Sequence, residues 1–170
     1  MVTQLKAYKF RFYPTAAQHQ QLAVEFGNAR FVWNRCLDLR SKAWEERQER
    51  HNYVSLNRQV TAWKRGECPW LADSAACCLT QCLMDQDKAF KNFFEKRGRY
   101  PRFKSRHDRQ AVRYQLDQRQ IERTHQAGEA LKLPKLGTLK IRWSQMPAGV
   151  PNMATVSKTP DGRYVVSFAC

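Results

Sequence analysis

Near the start of the chain, apolar and polar residues alternate. In LKAYKFRFY (residues 5–13), Tyr8, Phe10 and Phe12 fall on one side and Lys9 and Arg11 on the other, which predicts a half-buried strand with a basic outer face. Pro14 ends it and Thr15 is placed to cap a helix. The period then lengthens to that of a helix. Gly27-Asn28 is the natural break in the long run that follows, giving a short helix over about 16–26 and a longer one over about 28–49. In the second, Ala29, Val32, Trp33, Cys36, Leu39, Ala43 and Trp44 form the expected core stripe. Another helix is predicted over Tyr53–Gly66, capped by Ser55, with Leu56, Val60 and Trp63 inward. Pro69-Trp70 reads as a turn. Asp73 or Ser74 then caps a long helix whose stripe is Ala75, Leu79, Cys82, Leu83, Gln86, Phe90, Phe93 and Phe94, ending at a break marked by Gly98 and Pro101.

Beyond about residue 110 the pattern turns to strands: VRYQL, ALKLPKLGTLKIRW, ATVSKT and RYVVSFAC, the last two joined at Pro160-Asp161-Gly162 as a hairpin. The order strand, helical block, strands predicts an α+β protein. Its β-domain is split by a helical insertion, and strand 5–13 joins the sheet formed late in the chain.

Charge narrows the choice of partner. Thirty Lys and Arg face fifteen Asp and Glu, a net charge of +15, and the sequence pI is near 9.9. Between Lys88 and Arg113 ten lysines and arginines are opposed only by Glu95 and Asp108, with Tyr100 and Phe103 set among them. Residues 131–143 carry four more cations, Lys135 and Lys140 included, and no acid. Such a surface suits a polyanion, with arginines for phosphates and aromatic rings for bases; a solvated loop closing a core helix is the bland alternative. No apolar run approaches the roughly 18–20 residues of a membrane span, and Val2–Phe12 interleaves lysines with aromatics, unlike a signal peptide. The expected partner is therefore nucleic acid rather than membrane, in the cytoplasm. Arg30 and Asn34, four apart with Arg35 beside them, lie on a polar face; Asn34 either reads a base or phosphate or ties down a neighbouring loop.

Candidate catalytic chemistry is sparse. Of six cysteines (Cys36, Cys68, Cys77, Cys78, Cys82, Cys170), only Cys78 and Cys82 have zinc-like spacing, and they share a helix face as reduced core thiols do. Cys68 alone sits in a context that could be exposed and electropositive. Metal-dependent phosphodiester cleavage needs converging carboxylates, whereas Asp85 and Asp87 point apart on a helix and the last acid, Asp161, sits in a turn. No GxSxG, P-loop, HExxH or dinucleotide fingerprint is present. The chain reads as a binding module rather than an enzyme.

KAYKFRFYPT, GNARFVWNRCL, KAFKNFFEKRGRYPRFKSR and LKLPKLGTLKIRW, in this order, resemble TnpB, the OrfB-type RNA-guided DNA nuclease of bacterial transposons and a relative of type V CRISPR effectors. The resemblance spans essentially the whole chain. It implies a wedge-like β-barrel from residues 1–14 plus 108–170, with a helical recognition lobe over 15–107 inserted in it. It implies guide RNA from the transposon end and target DNA as partners, in the bacterial cytoplasm at the nucleoid. The family's RuvC-like nuclease and zinc ribbon are expected after Tyr164–Cys170, so no cofactor is expected here; divalent metal and zinc belong to those later domains. Carried over by motif, Lys9, Arg11, Arg30, Asn34, Lys91, Asn92, Arg102, Phe103 and Lys104 are expected near nucleic acid, with Arg99 and Arg106 completing the basic arm. Tyr53, Thr80 and Gln115 are expected near the motif flanking the target, and Ala76 offers little for readout. A rival reading keeps residues 15–49 as the helix-turn-helix of a stand-alone DNA-binding regulator, which requires an exposed second helix.

Overall fold

A computed structural model describes residues 6–116, 131–144 and 151–169; Leu5, Ala130 and Cys170, named above in predicted strands and among the cysteines, lie outside them. The protein mixes helix and sheet and divides into two compact units, one of residues 1–23 with 109–170 and the other of residues 24–108.

In the first unit, strands β1 (Ala7–Phe12), β2 (Gln110–Gln115), β5 (Met153–Lys158) and β6 (Tyr164–Ala169) form an antiparallel sheet in the order β1-β6-β5-β2. The strand near the start of the chain thus joins the late hairpin, as its alternation predicts. Gly162, with φ of +85°, supplies the left-handed residue of the hairpin turn. The sheet has two distinct faces. One buries Tyr8, Phe10, Phe12, Val112, Tyr114, Ala154, Val156, Val166 and Phe168; Phe10, Trp143 and Phe168 pack ring on ring, with centroids 4.9 to 6.0 Å apart. Strands β3 (Lys132–Leu133) and β4 (Gly137–Thr138) form a separate ribbon. The four-stranded sheet is not closed, so among the described residues no barrel is formed; at its β1 edge only the short segment around Ile141 pairs on.

Helix α1 (Ala16–Arg47) starts in this unit. Thr15 caps it reciprocally: the Gln18 N–H donates to Thr15 Oγ1 at 3.2 Å and the Thr15 N–H to Gln18 Oε1 at 3.0 Å. The buried Gln18 amide also donates to Thr138 O at 2.6 Å, tying the helix start to the ribbon.

Gly27-Asn28 does not break the run: α1 is continuous for 32 residues. A mid-helix glycine costs about 1 kcal/mol, and burial of Phe26 beside it, with the tertiary hydrogen bonds of the buried Glu25 to Ala75 and Asn28 to Ser74, offsets that. The second unit packs the later part of α1 against α2 (Tyr53–Arg65), a short 3-10 helix (Pro69–Asp73) and α3 (Ala76–Phe94). Val32, Cys36, Leu56, Val60, Trp63, Cys68, Leu71, Leu79 and Leu83 make its core.

Cap positions and ring exposures also differ from those the pattern predicts. Asn52, not Ser55, is the N-cap of α2; Ser55 is the third helical residue and completes a capping box with it. Neither Asp73 nor Ser74 caps α3; its N-cap is Ala75, whose N–H donates to Glu25 Oε1 of α1 at 2.8 Å. A carboxylate from a distant turn of chain thus does the capping, which no local pattern encodes. Helix α3 ends at Phe94, before Gly98, and the left-handed residue just past it is Lys96 (φ 60°). Trp44 and Phe94, expected in the core stripes, are 47% and 55% exposed, and Phe90 and Phe93 are only half-buried. Cys68 is buried rather than exposed.

Candidate nucleic-acid interface

In the second unit, the turns of α1 from Gly27 to Arg35 present Gly27, Arg30, Phe31, Asn34 and Arg35 on one face, three and four residues apart. With Glu67 and Trp70 they line an open groove of about 740 Å³. Arg35 is committed to structure. It donates to Glu67 Oε1 at 2.5 Å and to Cys68 Sγ at 3.2 Å, and lies 4.1 Å over the Trp63 ring. Arg30, by contrast, has no ion pair or hydrogen bond among the described residues, and is the groove's available cation.

The basic arm runs beside this face and is laced to it. Asn34 Nδ2 donates to Lys104 O at 2.9 Å, and the Lys104 N–H donates back to Asn34 Oδ1 at 2.7 Å. One turn earlier, Trp33 Nε1 donates to Arg102 O at 2.8 Å. All three bonds use the arm's backbone, so the side chains of Arg102 and Phe103 stay exposed, Phe103 at 59%. Lys104 Nζ lies 3.9 Å from the Trp33 ring centroid, a cation–π contact that aims it. Of the two roles open to Asn34, the geometry shows the tie. Arg99 and Arg106 are exposed at either end of the arm; Lys91 is exposed on the last turn of α3, and the Asn92 carbonyl accepts from the N–H groups of Arg97 and Gly98.

Tyr53 and Thr80 sit on the paired helices α2 and α3, the Thr80 hydroxyl donating to Asn57 Oδ1 at 3.4 Å. The Tyr53 N–H donates to Asp87 Oδ2 at 2.9 Å, and Asp87 also pairs with the buried Arg40, so this carboxylate is structural. Ala76 is exposed at the start of α3.

In the first unit, the register places Lys9, Arg11 and Gln115 on the sheet face opposite the aromatic core. Lys9 pairs with Ser167, Ser167 with Thr155, and Thr155 with Arg113, so one row crosses the sheet from cation to cation. Arg113 was not singled out from the sequence as a contact residue; the strand pairing that brings it there could not be read locally. Lys135 and Lys140 are exposed on the ribbon turn and just after β4, so they lie on neither row of this face.

Burial pushes the Cys36 and Cys82 thiols up to about 12, with nearby Arg and Lys side chains only partly opposing it, so both are protonated at neutral pH. Cys36, Cys68, Cys77, Cys78 and Cys82 are thiols that take part in no disulfide. Among the described residues no three His, Cys, Asp or Glu side chains are gathered to hold a metal, and no helix is long and apolar enough to cross a membrane.

The sequence that builds this helix-borne groove, laced arm and sheet is similar to those of known proteins. Residues 1–49 fit a helix-turn-helix domain of the OrfB, IS605 type. The chain is 37% identical over 174 residues to a protein of Streptomyces pristinaespiralis provisionally named an RNA-guided DNA endonuclease; the match takes in 100% of the chain and 42% of that relative. It is 34% identical over 165 residues to the provisionally named RNA-guided DNA endonuclease InsQ of Escherichia coli (strain K12), covering 96% of the chain and 40% of InsQ. It is also 26% identical over 113 residues to virulence protein VsdF of Salmonella dublin, across 61% of the chain and 95% of VsdF. The chain is related throughout its length to the N-terminal part of TnpB-like proteins, and spans about two fifths of the length of the first two relatives.

Proposed function

We propose that this chain is the nucleic-acid-binding portion of a TnpB-like RNA-guided DNA endonuclease, holding guide RNA and its pairing with target DNA. The observation that carries the reading is the arm's construction. Its backbone is fixed to α1 through Asn34 and Trp33 while Arg102, Phe103 and Lys104 face solvent beside the unpaired Arg30. A pre-ordered row of cations loses little entropy on gripping a phosphate backbone, and phosphate contacts set affinity and register rather than sequence choice. An RNA–DNA heteroduplex suits such a surface, because it is held by shape and backbone.

On this reading the first unit is the wedge-like part, completed toward a barrel by further strands, and the second is the recognition lobe. Tyr53, Thr80 and Gln115 are the polar groups offered toward the flanking motif. The chain binds without cutting by itself: of the two carboxylates of α3, Asp87 is engaged by Arg40 and the start of α2, and Asp85 lies two residues away, off its face. Nothing in the described surface asks for a membrane, and a place at the bacterial nucleoid follows from the partners.

The rival regulator reading draws support from the helix-turn-helix description of residues 1–49. Against it, those residues fold as a strand and one uninterrupted helix whose later half buries Val32, Cys36 and Leu37. Among the described residues of this stretch, no free recognition helix is left for a major groove.

The test is a salt titration of RNA binding. Changing Arg30, Arg102 or Lys104 to Ala is expected to flatten the log–log salt dependence by up to roughly 0.7–0.9 for each phosphate no longer neutralised. An unchanged slope in all three variants sinks the assignment of the arm and groove.

A further inference from the structure

A cavity of about 490 Å³ opens between the C-terminal turns of α1 and α3 in the second unit, away from the Arg30 groove in lining and in character. Its walls are aromatic. Trp44, Phe94 and Tyr100 are 47%, 55% and 44% exposed, and Phe90 and Phe93 stand edge-on to Tyr100 at 5.5 and 5.2 Å. So many exposed rings in one place are costly in water unless something covers them. A phosphate is not that something, because Glu49, Asp87 and Glu95 offset the cations Arg40, Arg50 and Lys91 around the cavity.

Two further features specify the occupant. The Arg50 guanidinium lies 5.2 Å over the Trp44 ring and 4.8 Å over the Phe94 ring, so a flat group is already held against both in the free protein. Arg40, 8% exposed, donates through Nη1 to His51 O at 3.1 Å and through Nη2 to Asp87, yet its buried Nε–H finds no acceptor. A donor without a protein acceptor in the lining of an aromatic cavity suits a planar ligand with a carbonyl oxygen or ring nitrogen. Next in sequence to the lining residues Asp87, Glu95 and Tyr100, Lys88, Lys96, Arg97 and Arg99 are exposed and offer positive charge for the attached phosphates, Arg97 while pairing with Glu95.

We propose that this cavity captures one unstacked nucleobase from a single-stranded segment of the bound nucleic acid. The base stacks on Trp44 and Phe94 in place of Arg50 and accepts a hydrogen bond from Arg40 Nε. This rests on the nucleic-acid reading above and adds a second, chemically different contact to it. Base-on-aromatic stacking is tolerant of sequence and absent for a base kept inside a duplex.

The experiment compares the 170-residue chain with its Trp44→Ala and Phe94→Ala variants. Both positions are exposed, and a circular-dichroism melt confirms that the variants fold. Anisotropy titrations use a labelled ten-nucleotide single-stranded RNA and the same RNA annealed to its DNA complement. Each variant is expected to bind the single strand about tenfold more weakly, with duplex affinity and both salt slopes unchanged. In parallel, uncharged adenosine is expected to quench tryptophan fluorescence in the parent chain and not in Trp44→Phe. Equal weakening on single strand and duplex, or none on either, overturns the proposal. So does quenching by a Phe- and Leu-rich peptide without quenching by adenosine, which makes the cavity a protein-docking site. Failure of the parent chain to bind either nucleic acid overturns the broader reading and this one with it.

Discussion

Asn34 shows how one side chain can decide what a charged segment does. Its amide meets both the N–H and the C=O of Lys104, and with Trp33 on Arg102 O it sets the path of the arm. Asn34→Ala removes two exposed hydrogen bonds, each worth about 0.5–1.5 kcal/mol. Because both bonds are exposed, their loss is expected to loosen the arm locally rather than unfold the core, so tryptic cleavage after Arg102, Lys104 and Arg106 should accelerate several-fold. RNA affinity should fall with the salt slope intact, since the cations remain and only their ordering is lost. A fall in slope would make Asn34 a contact rather than a tie. The sequence showed the residue on a polar face and left both roles open; the partner, 70 residues away, could not be found from spacing.

At the scale of elements, periodic stretches fold as their periods dictate, whereas helix starts and breaks answer to packing from elsewhere in the chain. Tyr8, Phe10 and Phe12 are buried as their alternation requires, and Leu56, Val60 and Trp63 turn inward on α2. Gly27 was misread because a glycine is a break only where nothing packs across it. A Cβ built on it meets nothing within 4 Å. Gly27→Ala is therefore expected to stabilise the protein by about 0.5–1 kcal/mol in a urea melt. If nucleic-acid affinity drops in the same variant, the missing side chain serves the groove that Gly27 lines by admitting a close-lying backbone. The start of α3 was illegible for another reason: its capping group, Glu25, comes from a helix 50 residues earlier. The exposed rings of Trp44 and Phe94 fell on core stripes because periodicity locates a face without saying where the covering element stops.

Across the whole molecule, the class was legible because alternation and turn chemistry are local, and the return of the first strand to the late sheet was legible from the order strand, helical block, strands. Closure of the sheet was not, because it depends on pairings between distant segments. One global property follows from the thiols. A free thiol in the unfolded chain ionises near 9.0, whereas Cys36 and Cys82 hold their protons to about 12 when folded. Above pH 9 the unfolded state thus binds fewer protons than the native one, and stability falls as pH rises. Each thiol contributes a slope of at most about 1.4 kcal/mol per pH unit up to pH 12. Denaturant melts between pH 8.5 and 10.5 should show a shallower decline for Cys82→Ala than for the parent chain. An identical decline would mean that the thiol is not kept from water as its burial indicates.

The three bonds that hold the arm end on carbonyls and an amide of residues 102 and 104, never on their side chains. The arm's route is thus written in α1, and positions 102, 103 and 104 are free to change without redrawing it. A library randomised at those three positions, on an otherwise fixed chain, should yield mostly folded members that differ in grip. Charge and aromatic content there become an adjustable dial for tuning retention on nucleic acid.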